Sequence, residues 1–133
     1  MIAVFDTNVL IAAIITEGVC SKLLTRAHTR EFSLVLCPFI MTEIRRILSK
    51  KFRLSPEETA SAIELIIEAT GQVIKHGIKV TNICRDSDDN HVLACAFAAN
   101  AQYLVTGDND LLELKNFQDI RILSPREFEL LFD

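Results

Sequence analysis

The chain has 133 residues, of which 50% are hydrophobic and 24% charged, and its formal net charge is −4. This length and balance fit one folded domain over residues 1–133 with its own hydrophobic core. The apolar stretches are shorter than the roughly 20 residues that cross a bilayer, and the start lacks the pattern of a signal peptide. We therefore predict a cytoplasmic protein that does not contact membranes.

The first part of the chain alternates short apolar runs with amphipathic segments. The pattern predicts strands at residues 2–5 and 32–36, and helices at residues 8–15 and 20–30. Pro38 fits the first turn of a third helix, where its missing N–H costs nothing. The run Ser55-Pro56-Glu57-Glu58 is a capping box that opens a fourth helix. Gly71 or Gly77 is expected to end this region.

The second part of the chain continues the alternation. An extended segment is predicted at residues 78–83. The run Asp86-Ser87-Asp88-Asp89 starts a helix, because Asp and Ser are good N-caps and acids suit the positive end of a helix dipole. Further elements are a strand at 103–106, a short helix at 111–114 and a strand at 120–123. A second capping box, Ser124-Pro125-Arg126-Glu127, opens a C-terminal helix.

Short apolar strands that alternate with amphipathic helices are typical of an α/β protein with a mainly parallel sheet. In such sheets the ligand crevice lies outside the carboxyl ends of the strands. Asp6 directly follows the first strand, and Asp108 follows the strand at 103–106 after one glycine. We therefore expect these two acids, which are far apart in the chain, at the same edge of the sheet.

Acids that converge in this way indicate a site for a divalent cation. Carboxylates brought close together repel one another and resist ionisation. Hard cations such as Mg²⁺ and Mn²⁺ prefer oxygen ligands and remove that conflict. Such sites hydrolyse phosphodiesters by activating water and by neutralising charge on the phosphate oxygens.

Two of the acids also have a structural interpretation. Asp6 could cap the helix that follows it, while Thr7 and Asn8 could orient its carboxylate or a bound water. Asn8 could also be only a cap. Glu43 could form an ion pair with Arg46, three residues further along its helix.

The remaining acids have rivals close by in the chain. Asp89 could serve only to compensate the dipole of its helix. Asp86 and Asp88 are alternatives to Asp89, and Asp110 is an alternative to Asp108. Periodicity does not choose between them.

Basic residues gather between Lys22 and Arg53, although the chain is acidic overall. On the helix that carries Glu43, such residues could contact phosphates, or they could form only a solvated helix face. The residues that we assign to nucleic-acid binding are Arg45, Arg46 and Lys50.

Taken together, the motifs resemble a PIN domain, and the resemblance covers essentially the whole chain. The motifs are Val4-Phe5-Asp6-Thr7-Asn8, Glu43 in an Ile-Met-Thr-Glu-Ile helix, Asp86-Ser87-Asp88-Asp89-Asn90 followed by Val92-Leu93-Ala94-Cys95-Ala96, and Tyr103-Leu104-Val105-Thr106-Gly107-Asp108. The resemblance implies a three-layer α/β/α sandwich with a central, mainly parallel sheet of about four to five strands. It also implies a ribonuclease that depends on Mg²⁺ or Mn²⁺.

The resemblance further implies roles for individual residues and partners. The catalytic acids and metal ligands would be Asp6, Glu43, Asp89 and Asp108. The supporting residues would be Thr7, Asn8, Asp86, Asn90, Thr106 and Asp110. The most similar group consists of proteins described as toxins of prokaryotic toxin–antitoxin pairs, which implies an RNA substrate, a cognate antitoxin protein and a homodimer.

Two other function classes stay open from the residues alone. A haloacid-dehalogenase-like phosphatase also begins with an apolar strand and an Asp, but it carries a second Asp two residues later, where this chain has Asn8. A non-catalytic cation-binding regulatory or scaffold domain would bind metal without cleaving nucleic acid. An aspartyl-phosphate trapped on Asp6 would indicate the first class, and metal binding without cleavage would indicate the second.

Overall fold

One sheet runs through the described part of the chain. The computed structural model describes residues 1–73 and 87–132, apart from the side chains at positions 72, 73 and 87–89. Its strands are β1 (Ile2–Phe5), β2 (Ser33–Leu36), β3 (Thr70–Val73), β4 (Tyr103–Val105), β5 (Asn116–Phe117) and β6 (Ile120–Leu123). Their order across the sheet is β3-β2-β1-β4-β6-β5, so β1 lies in its interior.

Every strand pair is parallel except β5 with β6. Val4 of β1 lies beside Val35 of β2 on one side and beside Leu104 of β4 on the other. These short, apolar and largely buried strands are typical of a parallel sheet that is covered on both faces. The carboxyl ends of β1, β2, β4 and β6 therefore meet at one edge.

The helices begin at or within one residue of the predicted starts, except α6, which begins at Asn109 where residue 111 was predicted because Asp108 caps it. They are α1 (Thr7–Ile15), α2 (Val19–His28), α3 (Pro38–Lys50), α4 (Pro56–Ala69), α5 (Ser87–Ala98), α6 (Asn109–Leu114) and α7 (Pro125–Glu129). The capping boxes at Ser55 and Ser124 are confirmed, because each serine exchanges hydrogen bonds with the glutamate three residues later. These caps set the starts of α4 and α7.

Aromatic side chains fill part of the core between the sheet and the C-terminal helix. Phe5 of β1 lies 5.5 Å from Phe32 and 5.9 Å from Phe128 of α7, measured between ring centroids. Around the sheet, α1 packs against α2 and α3, α2 also packs against α4 and α7, and α5 contacts β1 and β4. The predicted α/β/α class with a mainly parallel sheet is confirmed.

The strand β3 corrects the prediction for the region after α4. The helix α4 ends at Ala69, and the chain passes directly into β3, which pairs with β2. A Cβ at Gly71 would lie 2.6 Å from the Oγ of Ser33, so any larger residue there would make the Ser33 hydroxyl rotate away. The extended segment predicted at residues 78–83 lies outside the described residues.

Two other differences come from local backbone geometry. The helix predicted at residues 20–30 ends at His28, and Arg30 has a left-handed φ of 63°. The two-residue strand β5 pairs antiparallel with β6 through a turn in which Gln118 has a φ of 54°. Among the described residues it raises the number of strands to six, where four to five were predicted.

Among the described residues, no single helix is long and apolar enough to cross a membrane. Only α1 and α2 taken together meet that test, and they are bent by 97° relative to each other.

Candidate active site

Asp6 stands at the carboxyl end of the interior strand β1. Its backbone N–H donates to the carbonyl of Val105 at 2.9 Å, which extends the pairing of β1 with β4 by one residue. Its carboxylate Oδ1 accepts from the N–H of Thr7 at 2.7 Å and caps α1. Asp6 is only 6% exposed, and Thr7 is equally buried. The capping role and a position at the sheet edge therefore occur together.

Thr106 connects the ends of β1 and β4. It is fully buried, and its hydroxyl donates to Oδ2 of Asp6 at 2.7 Å. The same hydroxyl accepts from the backbone N–H of Asp108 at 3.0 Å. One side chain thus orients the carboxylate of Asp6 and positions the backbone of Asp108. The expectation that Asp6 and Asp108 follow neighbouring strands at one sheet edge agrees with this geometry.

Asp108 also caps a helix. Its Oδ1 accepts from the N–H groups of Asp110 at 2.8 Å and Leu111 at 3.4 Å, at the start of α6. Asp110 lies in the first turn of that helix, and both acids are half-buried. Neither capping bond uses Oδ2 of Asp108, so the cap itself leaves one carboxylate oxygen for another role.

Glu43 lies in the middle of α3 and forms the ion pair that the sequence allows. Its carboxylate accepts from the guanidinium of Arg46 at 3.1 Å (Nε to Oε2) and 3.3 Å (Nη2 to Oε1). This fork geometry is the stronger form of such a pair. The Glu43 side chain is 19% exposed and that of Arg46 is 53% exposed. The basic group therefore reaches solvent, while the carboxylate is held close to the protein surface.

Asp89 lies in the first turn of α5, and its side chain is outside the described set, as is that of Asp88. Asp86 lies outside the described residues altogether. Because α5 leads through a short turn into the start of β4, its first turn lies towards the carboxyl edge of the sheet. Asn90, one residue further on, is buried at 9% exposure, and Asn8 in α1 is exposed.

The oxygen-only character of these donors decides which cations they suit. Asp6, Thr106 and Asp108 offer carboxylate and hydroxyl oxygens, which hard cations such as Mg²⁺ and Mn²⁺ prefer. Across residues 1–73 and 87–132, no three described His, Cys, Asp or Glu side chains form a group that could hold a metal ion. The side chain of Asp89 lies outside the described residues, so the donor types fit the cation and the contribution of Asp89 stays a prediction.

A thiol pair links the two helices that carry Glu43 and Asp89. Cys37 immediately precedes α3 and Cys95 lies in α5, and both are buried. The hydrogen bond from Cys95 lowers the pKa of the Cys37 thiol, burial opposes this, and the backbone N–H groups of Ile40 and Phe39 lower it further. The same hydrogen bond, together with burial, raises the pKa of Cys95. The pair accompanies the packing of α3 against α5.

An aromatic pair near the same edge is not among the residues that the sequence singled out. Phe39, in the first turn of α3, stacks on His91 of α5 with ring centroids 4.4 Å apart and planes inclined by 16°. Phe39 is half-buried and His91 is exposed. The two residues are distant in the chain and neither belongs to a motif, so no local signal connects them.

Comparisons with known proteins agree with this architecture. A family model described as the PIN domain matches residues 3–110, which is most of the chain. The chain belongs to the PIN domain family. The resemblance drawn from the motifs is thereby confirmed, and it places this PIN domain among nucleases that generally use divalent metal ions.

Two relatives extend the comparison. An uncharacterised protein of Methanocaldococcus jannaschii is 31% identical over 137 aligned positions, which cover 94% of this PIN domain chain and 87% of that protein. The crystal structure of VapBC2 from Rickettsia felis, bound to a DNA fragment from their promoter, contains a similar chain. The TM-score is 0.68 at 18% identity, and the match covers 93% of this chain and 98% of that one. This second likeness shows a shared fold.

Proposed function

We propose that this PIN domain protein is a metal-dependent endoribonuclease and the toxin of a toxin–antitoxin pair. The observation that carries the proposal is the carboxylate of Asp6. It is buried at the end of an interior parallel strand and is fixed from two sides by the Thr7 N–H and the Thr106 hydroxyl. A buried acid held in this way at a ligand-binding edge suits a fixed metal ligand.

The acids proposed to hold Mg²⁺ or Mn²⁺ are Asp6, Glu43, Asp89 and Asp108. A divalent cation held there supplies Lewis-acid activation of water and neutralises charge on the scissile phosphate. The protein's own contribution is orientation. The Thr106 hydroxyl hydrogen-bonds to the carboxylate of Asp6 and to the backbone N–H of Asp108, so one side chain positions both acidic residues. Asp110 is the alternative to Asp108.

In this proposal, Arg46 reduces the electrostatic repulsion among the acids of the site. Its guanidinium is paired with Glu43, which limits the repulsion that Glu43 would otherwise contribute to a cluster of carboxylates. The buried Asn90 and the exposed Asn8 would support the site by hydrogen bonding to a ligand carboxylate or to water. Asp86, which lies outside the described residues, keeps the same supporting role as an expectation from sequence.

The partners follow from the family resemblance and from the nature of the fold neighbour. VapBC2 of Rickettsia felis was solved on a fragment of promoter DNA. We propose by analogy that this chain binds a cognate antitoxin, forms a homodimer and acts on RNA in the cytoplasm. Growth arrest on expression of the chain, relieved by the product of an adjacent reading frame, would support the pairing. Expression without any effect on growth would oppose it.

The cleavage reaction is tested with the purified full chain and a labelled RNA. We expect cleavage with Mg²⁺ or Mn²⁺ that leaves 5′-phosphate ends and is abolished by EDTA. Asp6→Asn and Asp89→Asn should each lower the rate about 100-fold or more, because loss of a ligand exceeds the usual effect of a residue that only orients one.

The matched control is Asp119→Asn, which makes the same charge change at an exposed position before β6. It should cleave like the unchanged protein. If Asp6→Asn and Asp89→Asn retain full activity, a contaminating nuclease explains the cleavage and the proposal is wrong.

A further inference from the structure

A groove with one basic wall, formed by α3, lies between α3 and α4. Its volume is about 520 Å³. Its polar lining residues are Thr42, Arg45, Arg46, Ser49, Lys50 and Thr59. In the part of the chain that the structure describes, no acidic residue lines it. A groove of this composition attracts anions.

The helical repeat explains how the groove is built. Ile40, Ile44 and Leu48 are buried and hold one face of α3 against the core. The groove residues of α3 recur three or four positions apart, so they form a single stripe on another face of the same helix. The opposite wall comes from the start of α4, where Pro56 and the small Ala60 leave room beside that stripe. The groove is therefore a consequence of two rigid helices.

The charged side chains that line the groove are positive, whereas the net charge of the chain is negative. Arg45 and Lys50 place two cations beside Arg46, whose guanidinium is paired with Glu43, although the formal net charge is −4. At physiological ionic strength charges act over about 8 Å, so the nearby cations determine what binds here. A guanidinium binds phosphate oxygens in pairs, and an ammonium adds a mobile point charge. Phosphate groups are the anions that best match this set.

Besides the cations, the groove has hydroxyl groups that can donate hydrogen bonds to phosphate oxygens. Thr59 is 9% exposed, and its Oγ1 has no hydrogen-bond partner among the described residues. A buried hydroxyl without a partner is unfavourable, and a ligand oxygen or a water in the groove would satisfy it. The hydroxyl residues Thr42 and Ser49 line the same groove and are exposed. Hydroxyl side chains commonly contact backbone phosphates beside Arg and Lys.

Arg46 joins the groove to the candidate active site. It lines the groove, and its guanidinium also holds the carboxylate of Glu43. The groove therefore starts beside one of the acids proposed to hold the metal. A polynucleotide carries a phosphate at every step, so a strand whose scissile phosphate reaches those acids brings further phosphates to the neighbouring surface.

We propose that this groove binds backbone phosphates of the RNA strand on one side of the scissile phosphate. The identity of the strand as RNA rests on the proposed ribonuclease function. The groove recognises phosphate oxygens, which a free phosphate ion also carries. An acidic protein partner would use the same cations, and its carboxylates could also accept from Thr59, so the experiment separates RNA from such a partner.

The test measures binding of a fluorescent RNA oligonucleotide to the full chain in EDTA, where no cleavage interferes, over a series of salt concentrations. The groove variant is Arg45→Gln with Lys50→Gln. The control variant is Lys115→Gln with Arg121→Gln, which removes the same two charge types from exposed positions around β5 and β6. Thermal melting verifies that both variants fold.

We expect the groove variant to bind RNA about tenfold more weakly than the control. The slope of log affinity against log salt should fall by about 1.4, because each phosphate contact to a single strand contributes about 0.7. Thr59→Val should weaken binding without changing the slope, since a neutral hydroxyl displaces no counterion. Inorganic phosphate should compete only at concentrations far above those of the RNA.

Equal RNA affinity and equal slope in the groove and control variants would overturn the proposal and leave the stripe as a solvated helix face. Unchanged RNA affinity combined with a loss of direct inorganic phosphate binding, measured by calorimetry on the groove and control variants, would assign the groove to small anions instead. Unchanged RNA affinity with lost binding of a co-expressed acidic protein would assign it to that partner. Failure of the chain to cleave RNA would oppose the ribonuclease function but would leave a groove-dependent binding result intact, so the two failures are distinguishable.

Discussion

Thr106 is the residue on which the geometry of the candidate site most depends. Its single hydroxyl donates to Asp6 and accepts from the N–H of Asp108, and it is fully buried, so no water can replace it without rearrangement. Residues that orient a metal ligand from behind are typically worth about 10–100-fold in metal affinity or activity. Thr106 is therefore a positioning residue, distinct from the acids themselves.

Thr106→Val keeps the side-chain shape and removes both hydrogen bonds. We expect RNA cleavage to fall about 10–100-fold and Mn²⁺ affinity to fall with it, because the Asp6 carboxylate loses its orientation. Thr106→Ser keeps the hydroxyl and should restore most of both. Steady-state cleavage and Mn²⁺ titration measure the effect. A Thr106→Ser variant as impaired as Thr106→Val would show that packing of the methyl group matters, and not the hydroxyl.

The residues that sequence could predict are those whose role is local. Asp6 follows a strand and precedes a helix, and the residues on either side of it predict both elements. Glu43 is different, because its partner in the structure is the ordinary ion pair with Arg46 and nothing local marks it as a ligand. It became a candidate through the family motif. The stack of Phe39 on His91 depends on two helices meeting, which a single sequence does not reveal.

At the scale of elements, α2 and α7 are joined by a charged cluster rather than by apolar contact alone. Arg26 of α2 donates to both oxygens of Glu129 of α7, at 2.7 and 2.9 Å, and Lys22 lies 3.0 Å from the same carboxylate. The hydrogen bond with Arg26 is the main cause that lowers the pKa of Glu129 from 4.5 to about 2. The cluster fixes the C-terminal helix against the rest of the fold.

This cluster predicts a pH dependence of stability. A carboxylate whose pKa is lowered by folding stabilises the native state above its ordinary pKa, and that contribution is lost as the pH falls towards the folded value. Glu129→Gln should therefore lower the melting temperature by a few degrees at pH 7. The difference from the unchanged protein should shrink between pH 4.5 and about 2. Thermal melts across this range measure it.

Glu64→Gln is the control for this prediction, since it removes one acidic charge at an exposed position of α4. Its melting temperature should follow that of the unchanged protein at every pH. A difference for Glu129→Gln that stayed constant from pH 7 to pH 2 would mean that the carboxylate charge contributes nothing to the docking of α7.

Element starts were predictable and some ends were not. The capping boxes at Ser55 and Ser124 and the proline at position 38 mark helix starts through their own side chains. The strand β3 depends instead on the close approach of Gly71 to Ser33, a contact between distant parts of the chain. The sequence predicted that Gly71 or Gly77 ends this region, whereas α4 ends at Ala69 and Gly71 already lies within β3.

At the scale of the whole molecule, the parallel topology explains why a site can form at all. Pairing of β1 with β2 and with β4 brings the ends of distant segments to one edge of the sheet. The helix α3 leaves the same edge after β2, and carries both Glu43 and the basic stripe of the groove. Acidic and basic surfaces therefore lie side by side, which the net charge of −4 conceals.

The most direct test of the central claim is a crystal structure of the full chain soaked in Mn²⁺, with anomalous scattering used to locate the ion. We expect a Mn²⁺ ion with an oxygen of Asp6 at about 2.1–2.2 Å and with Asp89 as a further ligand, directly or through water. Thr106 should retain its hydrogen bond to the other oxygen of Asp6. Manganese bound elsewhere, with the carboxylate of Asp6 surrounded only by protein donors at saturating metal, would contradict the account.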